Sequence, residues 1–217
     1  MPQRKMSLMV VKSRRGHPTE AQSRAVRQQL REAAVATFLD KGYDGTSMEA
    51  IAEAAGVTKR TLYSRYPDKR AVFLDAIPWA FTRAVENDTV SRIKGNDLRA
   101  ALLAIGRGAL KRALDPDIVR LHLIARVEAH RFPEFSVGAE NLGWATRQRQ
   151  LMEVLQRHVD SGAIELDDVE LAAEHFLAMV EAIPARLAEF GIYRSQKSQQ
   201  RHITHAVDLF LRGALPR

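Results

Sequence analysis

The sequence predicts an all-α protein: a three-helix N-terminal head built around a helix-turn-helix, followed by a larger C-terminal helical body, about nine helices in all. Three observations predict it. Apolar residues recur at helical spacing along most of the chain, and no strand-like alternation persists. The stretch "GTSMEAIAEAAGVTKRTLYSRYPDK" (45–69) is cut into short helices at Gly56 and Pro67. The charge is also uneven: residues 1–70 hold 14 Lys and Arg against 7 Asp and Glu, whereas residues 71–217 hold 19 of each.

Residues 1–18 carry no periodicity, and "VKSRRGHP" reads as a flexible basic arm. A helix starts near Thr19, with Leu30, Ala33, Ala34 and Phe38 on one face and Gly42 closing it. Thr46-x-x-Glu49 has the form of a capping box, which predicts a second helix from about Ser47 with Ile51, Ala52 and Ala55 inward. Gly56 ends that helix, Val57 plugs the angle, and Thr58 caps a third. The third helix stops near Tyr66, because the residue before Pro67 is pushed out of the helical region. Asp68 then caps a helix opening at Lys69. Small Ala52, four residues before Gly56, allows two helices to cross closely, as a helix-turn-helix requires. Further helices are expected near 69–94, 97–114, 116–131, 133–161, 167–190 and 196–214. The organisation is therefore an arm (1–18), a head (19–68) and a body (69–217).

A basic head on a neutral body points to a polyanion partner. A loose basic tail is the plainer reading, but much of the charge lies inside patterned helices. The 217 residues contain no cysteine, which excludes disulfides and thiolate metal sites. No apolar run reaches the roughly 18 residues of a membrane span, and "SLMVV" is too brief for a signal-peptide core. The chain is read as soluble and cytoplasmic, without a membrane partner or a cofactor.

Val169, Ala173, Phe176, Val180, Ile183, Leu187 and Phe190 form a heptad seam. Ile203, Val207 and Phe210 line the last helix. Pattern alone leaves two readings open, a symmetric helical interface or the body's own core. Pro184 lies within the seam and should loosen the turn before it.

Residues 27–74 closely resemble the DNA-binding domain of TetR/AcrR-type transcriptional repressors. The resemblance rests on Leu30, Ala33-Ala34, Phe38, Gly42-Tyr43, Thr46-Ser47-Met48, Ile51-Ala52, Ala55-Gly56-Val57, Leu62-Tyr63 and Tyr66-x-x-Lys69. "EAHRFPEF" (128–135), "DSGAIELDD" (160–168) and "AAEHF" (172–176) resemble the ligand-binding domain of the AefR-like branch. Arg60, Tyr66, Pro78 and Pro184 depart from the common pattern.

A recognition helix meets base edges near its N-terminus, where Thr58, Lys59, Arg60 and Thr61 stand. Lys59 and Arg60 suit guanine, with a phosphate contact the equal alternative for each. Lys69, and Thr46 with Ser47, open helices whose N–H groups can hold a phosphate. The resemblance implies that Tyr63 also donates to a phosphate. Arg14 and Arg15 either enter the minor groove or stay solvated. So short a helix reads few bases, and a homodimer on a pseudo-palindromic operator supplies the remainder.

The resemblance further implies a pocket in the body for a small-molecule inducer, apolar or aromatic in kind. Candidates for its lining are Trp79, Phe81, His122, Phe132, Trp144, Phe176 and Met179, each of which also suits plain core. Enzyme readings have little to stand on. Ser91-x-x-Lys94 is a lone match, and His202-x-x-His205 with Asp208 reads as a helix face before it reads as a metal site. The expected function is a ligand-responsive repressor. An activator of the same fold, or a helical interaction module with a basic head, is the alternative.

Overall fold

The computed structural model describes residues 19–86, 97–134 and 144–214, and these hold nine helices and no strand. They are α1 (Glu20–Gly45), α2 (Met48–Ala54), α3 (Lys59–Tyr63), α4 (Lys69–Glu86), α5 (Leu98–Ala113), α6 (Pro116–Glu128), α7 (Trp144–Asp160), α8 (Val169–Glu189) and α9 (Gln196–Ala214). Arg14, Arg15, Ser91 and Lys94 lie outside the described residues, as does the side chain of Trp144.

Short polar side chains set the helix starts by accepting from N–H groups that no helix pairs internally. Thr19 and Gln22 form a full capping box on α1, and Thr58, Asp97, Asp115 and Asp168 cap α3, α5, α6 and α8. Asp68 Oδ1 accepts from the Ala71 amide at 2.8 Å at the head of α4, as expected. Gly42 takes φ 70° and ψ 177°, which breaks α1 before its last turn; an L side chain would be strained there. Gly56, at φ 60°, makes the corner between α2 and α3.

One cap differs from expectation by a residue. Ser47 caps α2, accepting from the Ala50 amide at 3.1 Å. Thr46 instead ends α1, and its hydroxyl donates back to the Gly42 carbonyl at 2.7 Å. Glu49 therefore closes no box with Thr46.

The apolar residues gather in two cores, and these do not divide at residue 68. The first holds Leu30, Phe38, Ile51 and Leu62 of the helix-turn-helix head, Phe73, Ile77 and Phe81 of α4, and Ile118, Leu121 and Ala125 of α6 with Phe132 just beyond it. The second is built from α5, α7, α8 and α9. α6 is further clamped to α1 by polar groups: Arg120 donates to the Leu39 carbonyl and Arg131 to Asp44 at 2.9 Å.

Two features explain how the second core closes. Gly106 of α5 faces α9 so closely that a Cβ there would sit 3.0 Å from Ile203 Cγ2. Pro184 has no N–H, so the Val180 carbonyl loses its partner within α8. His202 of α9 replaces it, with Nε2 at 3.0 Å from that oxygen. A carbonyl only accepts, so Nε2 carries the proton.

The heptad seam is not a single surface. Ala173, Phe176, Val180, Ile203 and Val207 are buried within the chain's own core, and Val169 and Phe210 pack at its edge. Ala173, Phe176, Val180, Ile203 and Val207 are corrected from interface to core, with Gly106 of α5 packed against Phe176, Val180 and Ile203. Ile183 and Phe190, by contrast, are 58% and 70% exposed, and Leu209 of α9 is 53% exposed.

Candidate nucleic-acid interface

α3 is a five-residue helix with two unlike sides. Leu62 is fully buried and fixes it to the first core. Thr58, Lys59, Arg60 and Tyr63 are exposed, and Thr61 is half-buried with its hydroxyl 2.9 Å from that of Thr58. Tyr63 is 47% exposed. Ser47 is exposed at the start of α2, on the same part of the head. These residues thus stand on the outer side of the head. Thr46 does not: at 3% exposure, with its hydroxyl bonded inward, it has no group to offer a phosphate.

Two cations are already engaged. Lys59 Nζ lies 3.0 Å from Glu49 Oε1, an ion pair across the helix-turn-helix whose hydrogen bond holds the Glu49 carboxyl below its ordinary value. Lys69 Nζ donates to the Tyr43 carbonyl at 2.7 Å and stands over the Tyr43 ring at 4.5 Å. Its ammonium thus closes the C-terminal end of α1, where carbonyls lack helical partners. The Asp44 carbonyl lies 3.4 Å from the same ammonium.

Tyr66 packs between the head and α4, as its place before Pro67 suggested, but the polar groups that hold it there were not foreseen. Tyr66 is buried, and its hydroxyl donates to Asp75 Oδ2 at 2.5 Å. The same carboxylate accepts from Arg31 Nε at 2.8 Å and from Arg27 at 2.9 Å. Burial pushes the Asp75 carboxyl up, but the hydrogen bonds from Arg31, Tyr66 and Arg27 more than offset this and hold it well below the usual carboxylate range. Burial and the same carboxylate push the Tyr66 phenol up, so it remains a donor. The signal in the sequence was the i, i+4 pair Arg27 and Arg31 on one face of α1, but nothing local named its partner 44 to 48 residues away.

Most of the expected pocket lining turns out to be core. Phe132 is buried among Tyr43 and Phe73, both at 4.9 Å between centroids, with Arg70 over its ring at 4.7 Å. Phe81 belongs to the same core, and Phe176 to the second, 5.3 Å from Phe210. Met179 packs at the edge of the second core. Trp79 lies on the α1–α4 seam, with Arg31 and Arg83 over its ring at 5.7 and 5.2 Å. Among the described candidates His122 alone is exposed, although protein surrounds it and its ring packs on Phe81 at 4.6 Å. Burial, then the positive charge of Arg147, push its imidazole pKa down. The body is also less apolar inside than the sequence suggested: Glu181 of α8 accepts from Arg147 of α7 at 2.5 Å and from Arg112 of α5 at 3.3 Å, all nearly buried.

Among the described residues no group of His, Cys, Asp or Glu is gathered to hold a metal ion, and His202 is spent on Val180. No helix among them is long and apolar enough to cross a membrane.

Comparison with known proteins agrees with this geometry. Residues 30–76 match the family model for bacterial regulatory proteins of the tetR family, and residues 100–213 match that for the C-terminal domain of AefR-like transcriptional repressors. The HTH-type transcriptional repressor AcnR of Corynebacterium efficiens is 23% identical over 167 residues, covering 75% of this chain and 81% of that protein. A putative TetR-family regulator from Mesorhizobium loti superposes with a TM-score of 0.84 at 26% identity, covering 92% of this chain and all of the other. The flavonoid-responsive regulator FrrA superposes at 0.73 with 29% identity, covering 89% and 98%.

Proposed function

Because the chain belongs to the TetR family of transcriptional regulators, with an AefR-like C-terminal domain, we propose that it is a ligand-responsive repressor acting in the cytoplasm. It binds a pseudo-palindromic operator as a homodimer and leaves the DNA when the body takes up a small-molecule inducer. The observation that carries this reading is the two-sided α3: Leu62 buried beneath, and Lys59, Arg60 and Tyr63 exposed above, in a chain whose first 70 residues, arm included, carry a net charge of +7. Arg60 and, once released from Glu49, Lys59 face base edges. Tyr63, Ser47 and Thr58 serve the phosphates, with Thr61 beside them and Lys69 in support. Arg14 and Arg15 of the arm add minor-groove or backbone charge.

Two short recognition helices one DNA turn apart, about 34–36 Å, read enough bases for a specific site. Exposed Ile183 on α8 and Phe190 at its C-terminal cap, half-buried Leu187 between them, and exposed Leu209 on α9 support a dimer face there. FrrA is flavonoid-responsive by name, which supports an aromatic inducer for this chain too. His122, with its accessible face, is the best-placed residue to meet it.

The test is a selection of duplexes from a randomised pool by the full-length protein, followed by titration of the selected and a scrambled duplex at several salt concentrations. Enrichment of one two-fold symmetric site, bound with a saturable preference of about a thousandfold or more, is expected. Equal binding to both duplexes refutes the reading. Arg60→Ala should change which bases are selected, whereas a uniform loss with a flatter salt slope would make Arg60 a phosphate contact.

A further inference from the structure

We propose that the Tyr66–Asp75 hydrogen bond is the device that sets the roll of the recognition helix, and that Asp75 is a positioning residue for operator reading although it faces away from the DNA side; the proposal rests on the DNA-binding reading above. The argument starts from length. α3 has five residues, roughly 7.5 Å of helix, and makes one full burial, at Leu62. A rod held by one apolar side chain is free to rotate about its own axis, and apolar contact is not directional. Base contacts tolerate little such rotation, on the order of 10–20°. The Lys59–Glu49 ion pair touches the N-terminal end of α3 only through two exposed, flexible side chains, so a buried directional anchor near the C-terminal end is what fixes the roll.

Tyr66 supplies it. The Tyr66 amide still bonds to the Leu62 carbonyl at 3.0 Å, so the residue continues the turn of α3. Its ring is buried and its hydroxyl meets Asp75 on α4. The Asp75 carboxylate takes two hydrogen bonds from Arg31 and one from Arg27, so three segments converge on one group: α1, the end of α3 and α4. With Tyr66 these four bonds fill the roughly four acceptor sites of a carboxylate. The residue is thus fully committed and fixed in orientation, and bonds to a charged acceptor are the stronger kind. Arg65 adds a lighter tether, donating to Ser23 of α1 at 3.2 Å.

The consequence separates two kinds of DNA binding. Phosphate attraction is long-ranged and forgiving of a helix that rolls, whereas base readout is not. Loosening the anchor should therefore reduce discrimination between sequences while leaving non-specific affinity in place. A residue with only a structural role behaves differently: it lowers the folded fraction, which weakens both affinities by one factor and leaves their ratio unchanged.

The experiment measures that ratio for full-length wild type, Tyr66→Phe and Asp75→Asn, on the duplex selected by the wild type and on a scrambled duplex of equal length and composition. Tyr66→Phe keeps the buried ring and removes only the donor, so it folds even if Asp75→Asn, which leaves two arginines without their carboxylate, does not. The expected result is a fall in the ratio of at least about fivefold in Tyr66→Phe, with scrambled-duplex affinity within about twofold of wild type. An unchanged ratio in Tyr66→Phe overturns the proposal, whatever Asp75→Asn does. A wild type that shows no preference overturns it together with the reading beneath it, and that arm alone separates the two failures.

Discussion

Truncating Phe132 to alanine should cost the fold about 4 kcal/mol. The ring is almost wholly buried, 4.9 Å from both Tyr43 and Phe73. Removing a buried Phe from a filled core costs about 3–5 kcal/mol, from lost transfer energy and the cavity left behind. The two aromatic pairs account for about 0.5–1.5 kcal/mol each within that figure, and the Arg70 contact at 4.7 Å for about 0.5–1. For a chain of 217 residues each kcal/mol moves the melting temperature by about 2–4 °C, so a fall of roughly 8–16 °C is expected. Guanidinium titration at fixed protomer concentration, followed by circular dichroism, gives the same quantity as a shifted midpoint at unchanged slope. A loss below about 1 kcal/mol would refute the reasoning: it is what a residue at the edge of an open pocket would show, the other of the two roles that the sequence left open for Phe132.

Three further outcomes are expected. His202→Ala should cost about 1–2 kcal/mol by leaving the Val180 carbonyl unpaired, and much less in a Pro184→Ala background, where the helix supplies its own donor; a double-mutant cycle in urea reads the difference. The folded protein keeps His122 neutral more firmly than the unfolded chain does, so its contribution is fully present above about pH 6.5 and is lost as pH falls from there through the lowered folded value. A His122→Gln variant should show a flatter stability profile in that acid window, and an unchanged slope would remove His122 as its source. Glu49→Gln frees Lys59 and removes a negative charge beside the DNA face, so both specific and scrambled duplexes should bind several-fold tighter, with a salt slope steeper by about 0.9, as measured by fluorescence anisotropy.

The head was legible because its instructions are local. Thr58, Gly56 and Asp68 each act within three or four residues, and Leu62 stands where the helical period puts a buried residue. One slip there, Thr46 for Ser47, arose because both hydroxyls can cap and only the Gly42 break decides which does; another is α3, which ends at Tyr63 rather than near Tyr66. What the sequence could not say is who covers whom. Val180 and Ile183 share one heptad stripe, yet α9 and α5 bury the first and leave the second exposed. Phe132 meets Phe73 and Tyr43 across 59 and 89 positions of chain, and Asp75 meets Arg31 across 44; no period reports such meetings. Periodicity identifies an apolar face, but its partner follows only from the packed fold.

The two cores bear on how such a protein can be taken apart. A head excised at residue 68 would leave Phe73, Ile77, Ile118 and Phe132 on the discarded piece and open its own core to water. The smallest portable reader is discontinuous in the chain: α1 to α4 together with α6 and Phe132. A graft that joins this head to another body should therefore carry α6 across as well, and place its new junctions at the start of α5, at Asp115 and after Glu134.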